Sequence, residues 1–126
     1  MDELIITGTE LSPEVIFKPK DKKFSISGWS RPESPSKFYA PIFNWIDEKG
    51  TKFLDDATIN FNIAYFNTPS AKMIRNLFER FDALHKKGVK LNVIWHYDEI
   101  ESKDEFEYEF GHELSFPIKY VAADEQ

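Results

Sequence analysis

The sequence contains no cysteine, which excludes disulfides, thiol catalysis and zinc–thiolate sites. Its longest uninterrupted apolar run is four residues, as in residues 63–66, whereas a membrane-spanning helix needs about 20. The five glycines are scattered and form no phosphate-binding loop. Residues 1–4 are acidic and do not resemble a signal peptide, so we expect a cytoplasmic protein without a membrane partner.

Positive charge is also scarce, since 16 basic residues stand against 22 acidic ones and the formal net charge is −6. Nucleic acid is therefore not expected as a partner. Residues 98–113 hold eight acids and one base, Lys103. The ordinary interpretation is a solvated helix face, and the alternative is a surface that steers a charged protein partner.

Aromatic residues, in contrast, are abundant. The 126 residues include 12 Phe, 5 Tyr and 3 Trp, which are enough large rings to fill a well-developed core in a small protein. The length predicts a single domain over residues 1–126.

Hydrophobic periodicity predicts the element order β-β-α-β-α-β-α-β. The first two strands form a hairpin that turns at residues 18–22. Apolar residues from Phe38 to Ile46 predict a helix that begins or bends near Pro41 and stops at Gly50. A third helix is predicted near residues 102–112.

The clearest strand is residues 57–66, where the alternation predicts one apolar face made of Ile59, Phe61, Ile63 and Tyr65. Strand–helix–strand units imply right-handed crossovers and a largely parallel region. The opposite sheet face carries polar residues, which a sheet covered on both sides would not show. The prediction is an α/β two-layer sandwich, with a mixed sheet of about five strands and helices mainly on one face.

Thr68 lies where this strand passes into the next helix. Pro69 favours the first helical position, so Thr68 is predicted to be the N-cap. A purely structural cap is the ordinary interpretation. The functional alternative is a phosphorylation switch, because a phosphate there would face free N–H groups at the helix start. Ser70 is a second hydroxyl in the same turn, and spacing does not decide between the two.

His96 is followed closely by Asp98 and Glu99, and a histidine beside carboxylates can act as a base or a ligand. Neighbouring strand residues alternate sides, however, and the spacing matches no metal motif. A surface or edge histidine is the ordinary interpretation, and a small enzyme using His96 or Asp98 is the alternative.

Seven short segments can be considered together by their order and spacing. They are Gly8-Thr9, Ser12-Pro13, ISGWSRPE (residues 26–33), FYAPIFNWI (38–46), YFNTPS (65–70), WHYD (95–98) and SFP (115–117). In this order and spacing they resemble the SiaC family of bacterial regulatory phosphoproteins, and the resemblance covers nearly the whole chain.

The resemblance implies a fold like that of the anti-sigma-factor antagonist (STAS) domains, with no catalytic residue, cofactor or metal of its own. It implies a partner-switching protein. A protein kinase phosphorylates it on a threonine, and a serine/threonine phosphatase removes the phosphate. The unphosphorylated form binds a downstream target, which in some members is a diguanylate cyclase. By motif position the threonine is Thr68, and the family often has serine where this chain has Pro69.

The surface predicted to bind the target is the N-terminal turn of the second helix, with Asn67, Ser70 and Arg31. A competing hypothesis is a constitutive interaction scaffold that does not respond to phosphate.

Overall fold

The computed structural model describes residues 2–110 and 114–122. Among these, the helices are α1 (Pro35–Phe53), α2 (Thr68–Lys86) and α3 (Ile100–Glu109), with a short 3-10 turn at Pro19–Asp21. The strands are β1 (Leu4–Ile6), β2 (Glu14–Lys18), β3 (Lys23–Ser30), β4 (Ala57–Phe66), β5 (Leu91–Tyr97) and β6 (Ile118–Ala122). Across this described part of the chain, no helix combines the length and hydrophobicity needed to cross a bilayer.

The six strands form one sheet in chain order. The pairs β1–β2 and β2–β3 are antiparallel, and the pairs from β3 to β6 are parallel. Each parallel pair is joined through a helix, and the three crossovers step in the same direction. Because such crossovers are right-handed as a rule, all three helices belong on one face. Their apolar side chains share one buried core, so the predicted two-layer sandwich is confirmed.

The sheet has one strand more than predicted, because β1 contains only three residues and its pattern is too short to recognise. The third helix begins at Ile100, before the predicted residue 102. Its predicted end at residue 112 lies outside the described residues.

Helix α1 differs from the prediction at both ends. It begins at Pro35, whose fixed φ suits the first helical position. Pro41 lies inside the helix on its exposed side, where the carbonyl that loses its hydrogen bond can meet water. Gly50 is not the stop either: a Cβ there would lie 2.7 Å from Leu84 Cδ1, so glycine permits the close approach of α1 and α2.

Stacked aromatic rings fix α3 on the sheet. The fully buried Trp95 of β5 lies between Phe61, with ring centroids 5.8 Å apart, and Phe106 of α3, at 3.8 Å. Phe110, at the end of α3, packs near Phe78 of α2. Two phenylalanines thus carry much of the attachment of this otherwise acidic helix.

A β-bulge near the end of β4 changes which side chains face the core. Gly28 pairs with Ile63, but the next pair is Trp29 with Tyr65, which leaves Ala64 as an extra residue. The alternation therefore reverses: Tyr65 points to the open face and is 44% exposed, while Phe66 packs near Phe110 with ring centroids 5.8 Å apart.

The prediction that Tyr65 shares the apolar face of Ile59, Phe61 and Ile63 is therefore wrong. An inserted residue leaves no mark in an alternating sequence pattern. On the open face, Tyr65 instead meets Trp29, with ring centroids 5.0 Å apart, and Trp29 is 47% exposed.

The bulge predicts unequal costs for two neighbouring truncations. Phe66→Ala removes a ring from the core and should lower the free energy of unfolding by about 2 kcal/mol, less than a fully buried Phe. Tyr65→Ala removes an exposed ring and should cost under about 1 kcal/mol. Urea denaturation measures both, and a larger cost for Tyr65→Ala would show that β4 is regular.

Candidate functional site at the start of the second helix

The carboxyl ends of β3 and β4 meet the start of α2. The Asn67 N–H donates to the Ser30 carbonyl at 3.1 Å, which continues the pairing of the two strands by one residue. Thr68 follows at once as the first residue of α2. The bulge at Ala64 lies directly before this junction and sets the directions of the side chains that surround it.

The N-cap of α2 is Asn67, not Thr68. The Asn67 side-chain oxygen accepts from the Ser70 backbone N–H at 3.0 Å. The prediction of Thr68 as the cap is wrong because asparagine, one residue earlier, caps at least as well as threonine. Thr68 is exposed, and within residues 2–110 and 114–122 its hydroxyl has no hydrogen-bond partner.

Ser70 belongs to a buried chain of three hydroxyls. The Ser30 hydroxyl donates to Ser70 Oγ at 2.9 Å and is 2.7 Å from the Tyr39 hydroxyl, and all three side chains have no exposed surface. Burial raises the pKa of Tyr39 to about 12, although the bond to Ser30 lowers it, so the phenol stays protonated. The sequence did not decide between Thr68 and Ser70 as the phosphorylated residue, and of the two only Thr68 is exposed. Ser70 is buried, so it can affect a partner only indirectly, by holding the backbone of the first turn of α2 in place.

Arg31 lies beside the exposed aromatic pair. Its guanidinium carbon is 5.4 Å from the centroid of the Trp29 ring, which in turn contacts Tyr65. In the described ranges, the Arg31 guanidinium has no carboxylate partner. Sequence reasoning missed the exposed contact between Trp29 and Tyr65, because it placed Tyr65 in the core.

An open groove of about 720 Å³ runs from Thr68 along α2 toward α3. Arg75 Nη2 and Glu109 Oε2 form an ion pair across it at 3.0 Å. The groove is lined by Tyr65, Phe66, Asn67, Thr68, Pro69, Ala71, Lys72, Arg75, Glu105 and Glu109. The sequence showed that residues 98–113 are acidic but not that Glu105 and Glu109 face Lys72 and Arg75, because the placement of α3 against α2 depends on tertiary packing.

A separate cavity of about 210 Å³ lies at the ends of β4 and β5, where the enzyme alternative expects one, and His96, Asp98 and Glu99 line it. The His96 Nε2–H donates to Asn60 Oδ1 at 2.9 Å, while Nδ1 is buried and has no hydrogen-bond partner among the described residues. Burial lowers the pKa of His96, so the ring is neutral at pH 7. The described residues hold no group of three His, Asp or Glu side chains placed to bind a metal ion.

The buried hydroxyl chain predicts a stability cost at its central member. Ser30→Ala leaves the Tyr39 and Ser70 hydroxyls without their shared partner and should lower the free energy of unfolding by about 2 kcal/mol. Ser27→Ala, on the open face of the same strand, is the matched control and should change stability by less than about 0.5 kcal/mol. Equal effects in denaturant titrations would contradict the coupling of the three hydroxyls.

The lowered pKa of His96 predicts a pH dependence of stability. Below its ordinary value of 6.5, the unfolded chain binds a proton more readily than the folded chain does. The contribution of His96 is thus full above pH 6.5 and is lost as the pH falls toward the pKa of the folded state. His96→Gln should lose less stability than the unsubstituted protein between about pH 7.5 and 5.5. Identical losses in denaturant titrations at both pH values would refute this.

Comparison with known proteins gives a family match over nearly the whole chain. Residues 6–123 match the family model described as SiaC family regulatory phosphoprotein. A solved structure of SiaC from Pseudomonas aeruginosa superposes with a TM-score of 0.82 at 24% identity, covering 97% of this chain and 99% of that one.

Two further relatives are about equally similar. SiaC in the crystal structure of the diguanylate cyclase SiaD with its activator SiaC, also from Pseudomonas aeruginosa, has a TM-score of 0.81 at 27% identity, covering 94% of this chain and 98% of that one. An uncharacterized protein of Pseudomonas aeruginosa (strain UCBPP-PA14) is 27% identical over 130 residues, which cover 99% of this chain and all of the relative. Since the family model spans nearly every residue of the sandwich, the chain belongs to the SiaC family of regulatory phosphoproteins.

Proposed function

We propose that this protein is a phosphorylation-controlled binding module whose unmodified form binds a diguanylate cyclase and activates it. The observation that carries the proposal is that Thr68 is exposed and that its hydroxyl has no hydrogen-bond partner among the described residues. The family is one of regulatory phosphoproteins, and a relative of the same fold is the activator of a diguanylate cyclase with which it forms a complex. The protein then needs no catalytic residue, cofactor or metal of its own.

Thr68 has the properties that a kinase and a phosphatase require. Both enzymes must reach its hydroxyl, and its side chain is exposed on a surface turn. The added phosphate carries a charge of about −1.5 to −2 at neutral pH. At the first residue of α2 it meets the positive end of the helix, which favours an anion. Ser70, in contrast, is closed to both enzymes by burial.

The partner surface that we propose consists of Trp29, Arg31, Tyr65 and Asn67, beside Thr68. Tryptophan, tyrosine and arginine dominate the binding energy of protein interfaces, and two exposed rings in contact are unusual away from such surfaces. A phosphate at the edge of this surface would impose desolvation and repel an acidic partner group. A penalty of about 3 kcal/mol weakens binding more than 100-fold.

Switching between partners, in the manner of the STAS-type anti-sigma-factor antagonists, follows from this arrangement. The kinase, the phosphatase and the cyclase must all approach the same turn, so they compete for it. In a constitutive scaffold, by contrast, phosphate would leave the binding of the target unchanged. The cavity at His96 supports a second candidate function, that of a small enzyme. This candidate predicts a catalytic activity that His96→Ala abolishes.

The first experiment locates the modification. The protein is incubated with a kinase encoded beside its gene, and the product is analysed by intact mass and peptide mapping. We expect one phosphate on Thr68 and none on Thr68→Ala. Thr51→Ala, an exposed threonine of α1, is the matched control and should be phosphorylated normally. Full incorporation into Thr68→Ala would refute the assignment.

The second experiment measures the consequence for binding. Isothermal titration of a purified diguanylate cyclase from the same organism should give an affinity at least about 100-fold weaker for the Thr68-phosphorylated protein than for the unmodified one. Trp29→Ala should weaken binding without phosphate, because it removes the largest exposed ring of the proposed surface. Equal affinities of the two forms would favour the constitutive scaffold.

A further inference from the structure

We infer that phosphate on Thr68 takes Arg75 away from Glu109 and thereby loosens α3 from the rest of the fold. This inference rests on the proposed phosphorylation of Thr68 and adds the way in which the protein itself responds. It concerns the groove between α2 and α3, in which Thr68, the basic residues of α2 and the acidic residues of α3 face the same space.

Three residues of α2 form one side of the groove. Thr68, Lys72 and Arg75 follow one another at intervals of four and three residues, which places them on one stripe of the helix. Helical side chains tilt toward the N-terminus of the helix, which is the direction of Thr68 from positions 72 and 75, and all three residues line the groove. A phosphate on Thr68 would therefore enter a space with two cations beside it.

Glu105 and Glu109 of α3 form the other side. Arg75 Nη2 is 3.0 Å from Glu109 Oε2, with the two side chains 48% and 35% exposed. An ion pair this open to water is weak and easily exchanged. A phosphate dianion offers the same guanidinium more charge and a bidentate geometry, so it is the stronger partner.

The charge balance of the groove also favours separation of α3 from α2. The unmodified groove holds two cations, Lys72 and Arg75, against two carboxylates, Glu105 and Glu109. Adding about two negative charges at Thr68 leaves the groove with excess negative charge. The phosphate thus removes the cation that faces Glu109 and also repels both carboxylates, and each effect separates α3 from α2.

The attachment of α3 then depends on its two buried rings. Phe106 lies on Trp95 and Phe110 lies between Phe66 and Phe78. Among the described residues, these are the two buried side chains of α3 and its C-cap, and Lys103 adds a more exposed contact with the Tyr120 ring of β6 at 5.1 Å. Loosening of α3 would be seen as faster amide exchange in residues 100–110 and as partial exposure of Trp95.

The test uses phosphothreonine incorporated at position 68 during translation, so that it needs no kinase. Hydrogen exchange followed by mass spectrometry should show exchange of residues 100–110 about tenfold faster than in the unmodified protein. Arg75→Gln should give part of this acceleration without phosphate, about threefold, because it removes the ion pair but adds no phosphate charge. Phosphate should then add less than it does in the unsubstituted protein, because only its repulsion of the carboxylates remains. Glu109→Gln should behave in the same way and provides a second variant.

Arg80→Gln is the matched control, because it breaks an ion pair of the same helix with Asp47 of α1 and should leave residues 100–110 unchanged. Exchange of α3 within about twofold of the unmodified protein after phosphorylation would overturn the inference. So would normal exchange in both Arg75→Gln and Glu109→Gln. Kinase incorporation and cyclase affinity are measured separately, so the switch can stand when this relay fails.

Discussion

The buried chain of hydroxyls formed by Tyr39, Ser30 and Ser70 holds together the end of the molecule at which α2 begins. It joins α1 and the last residue of β3, which are neighbours in sequence, to the first turn of α2, where Ser70 lies 40 residues after Ser30. In the core these groups satisfy one another, and a buried hydroxyl without a partner would be costly. The first turn of α2 is therefore held on its buried side by Ser70, while Thr68 on its outer side is exposed to solvent.

Next to this hydroxyl chain, the bulge at Ala64 determines which side chains of β4 lie on the surface. Without the extra residue, the pattern of β4 would send Tyr65 into the core and Phe66 to the outside. With it, an exposed tyrosine meets Trp29, and the ring of Phe66 joins the core beside α3. A single inserted residue thus builds both the aromatic surface beside Thr68 and one wall of the groove.

Much of the fold could be predicted from the sequence, because it follows from local periodicity. The alternation of β4 and β5 and the stripe of α2 gave the element order, and the polar outer residues gave the two layers. Thr68 was singled out because proline after a strand marks the start of a helix, but the N-cap is its neighbour Asn67.

The errors have a shared physical origin in contacts between distant residues. Whether Pro41 is tolerated depends on which side of α1 faces water, and whether Gly50 stops the helix depends on Leu84 of another helix. The role of Asn67 as cap depends on where the strand pairing with β3 ends. The groove depends on α3 packing through Phe106 and Phe110, which no local pattern specifies.

Because Asn67 caps the helix, the capping hydrogen bond of α2 does not use the Thr68 hydroxyl. A threonine that also closed the first turn would lose that bond on esterification, and each cycle of modification would start to unwind α2. In the switch proposed above, these two roles belong to adjacent residues, so a phosphate on the Thr68 hydroxyl leaves the hydrogen bond between Asn67 and the Ser70 N–H in place. The proposed phosphate is then added and removed repeatedly without unwinding the start of α2.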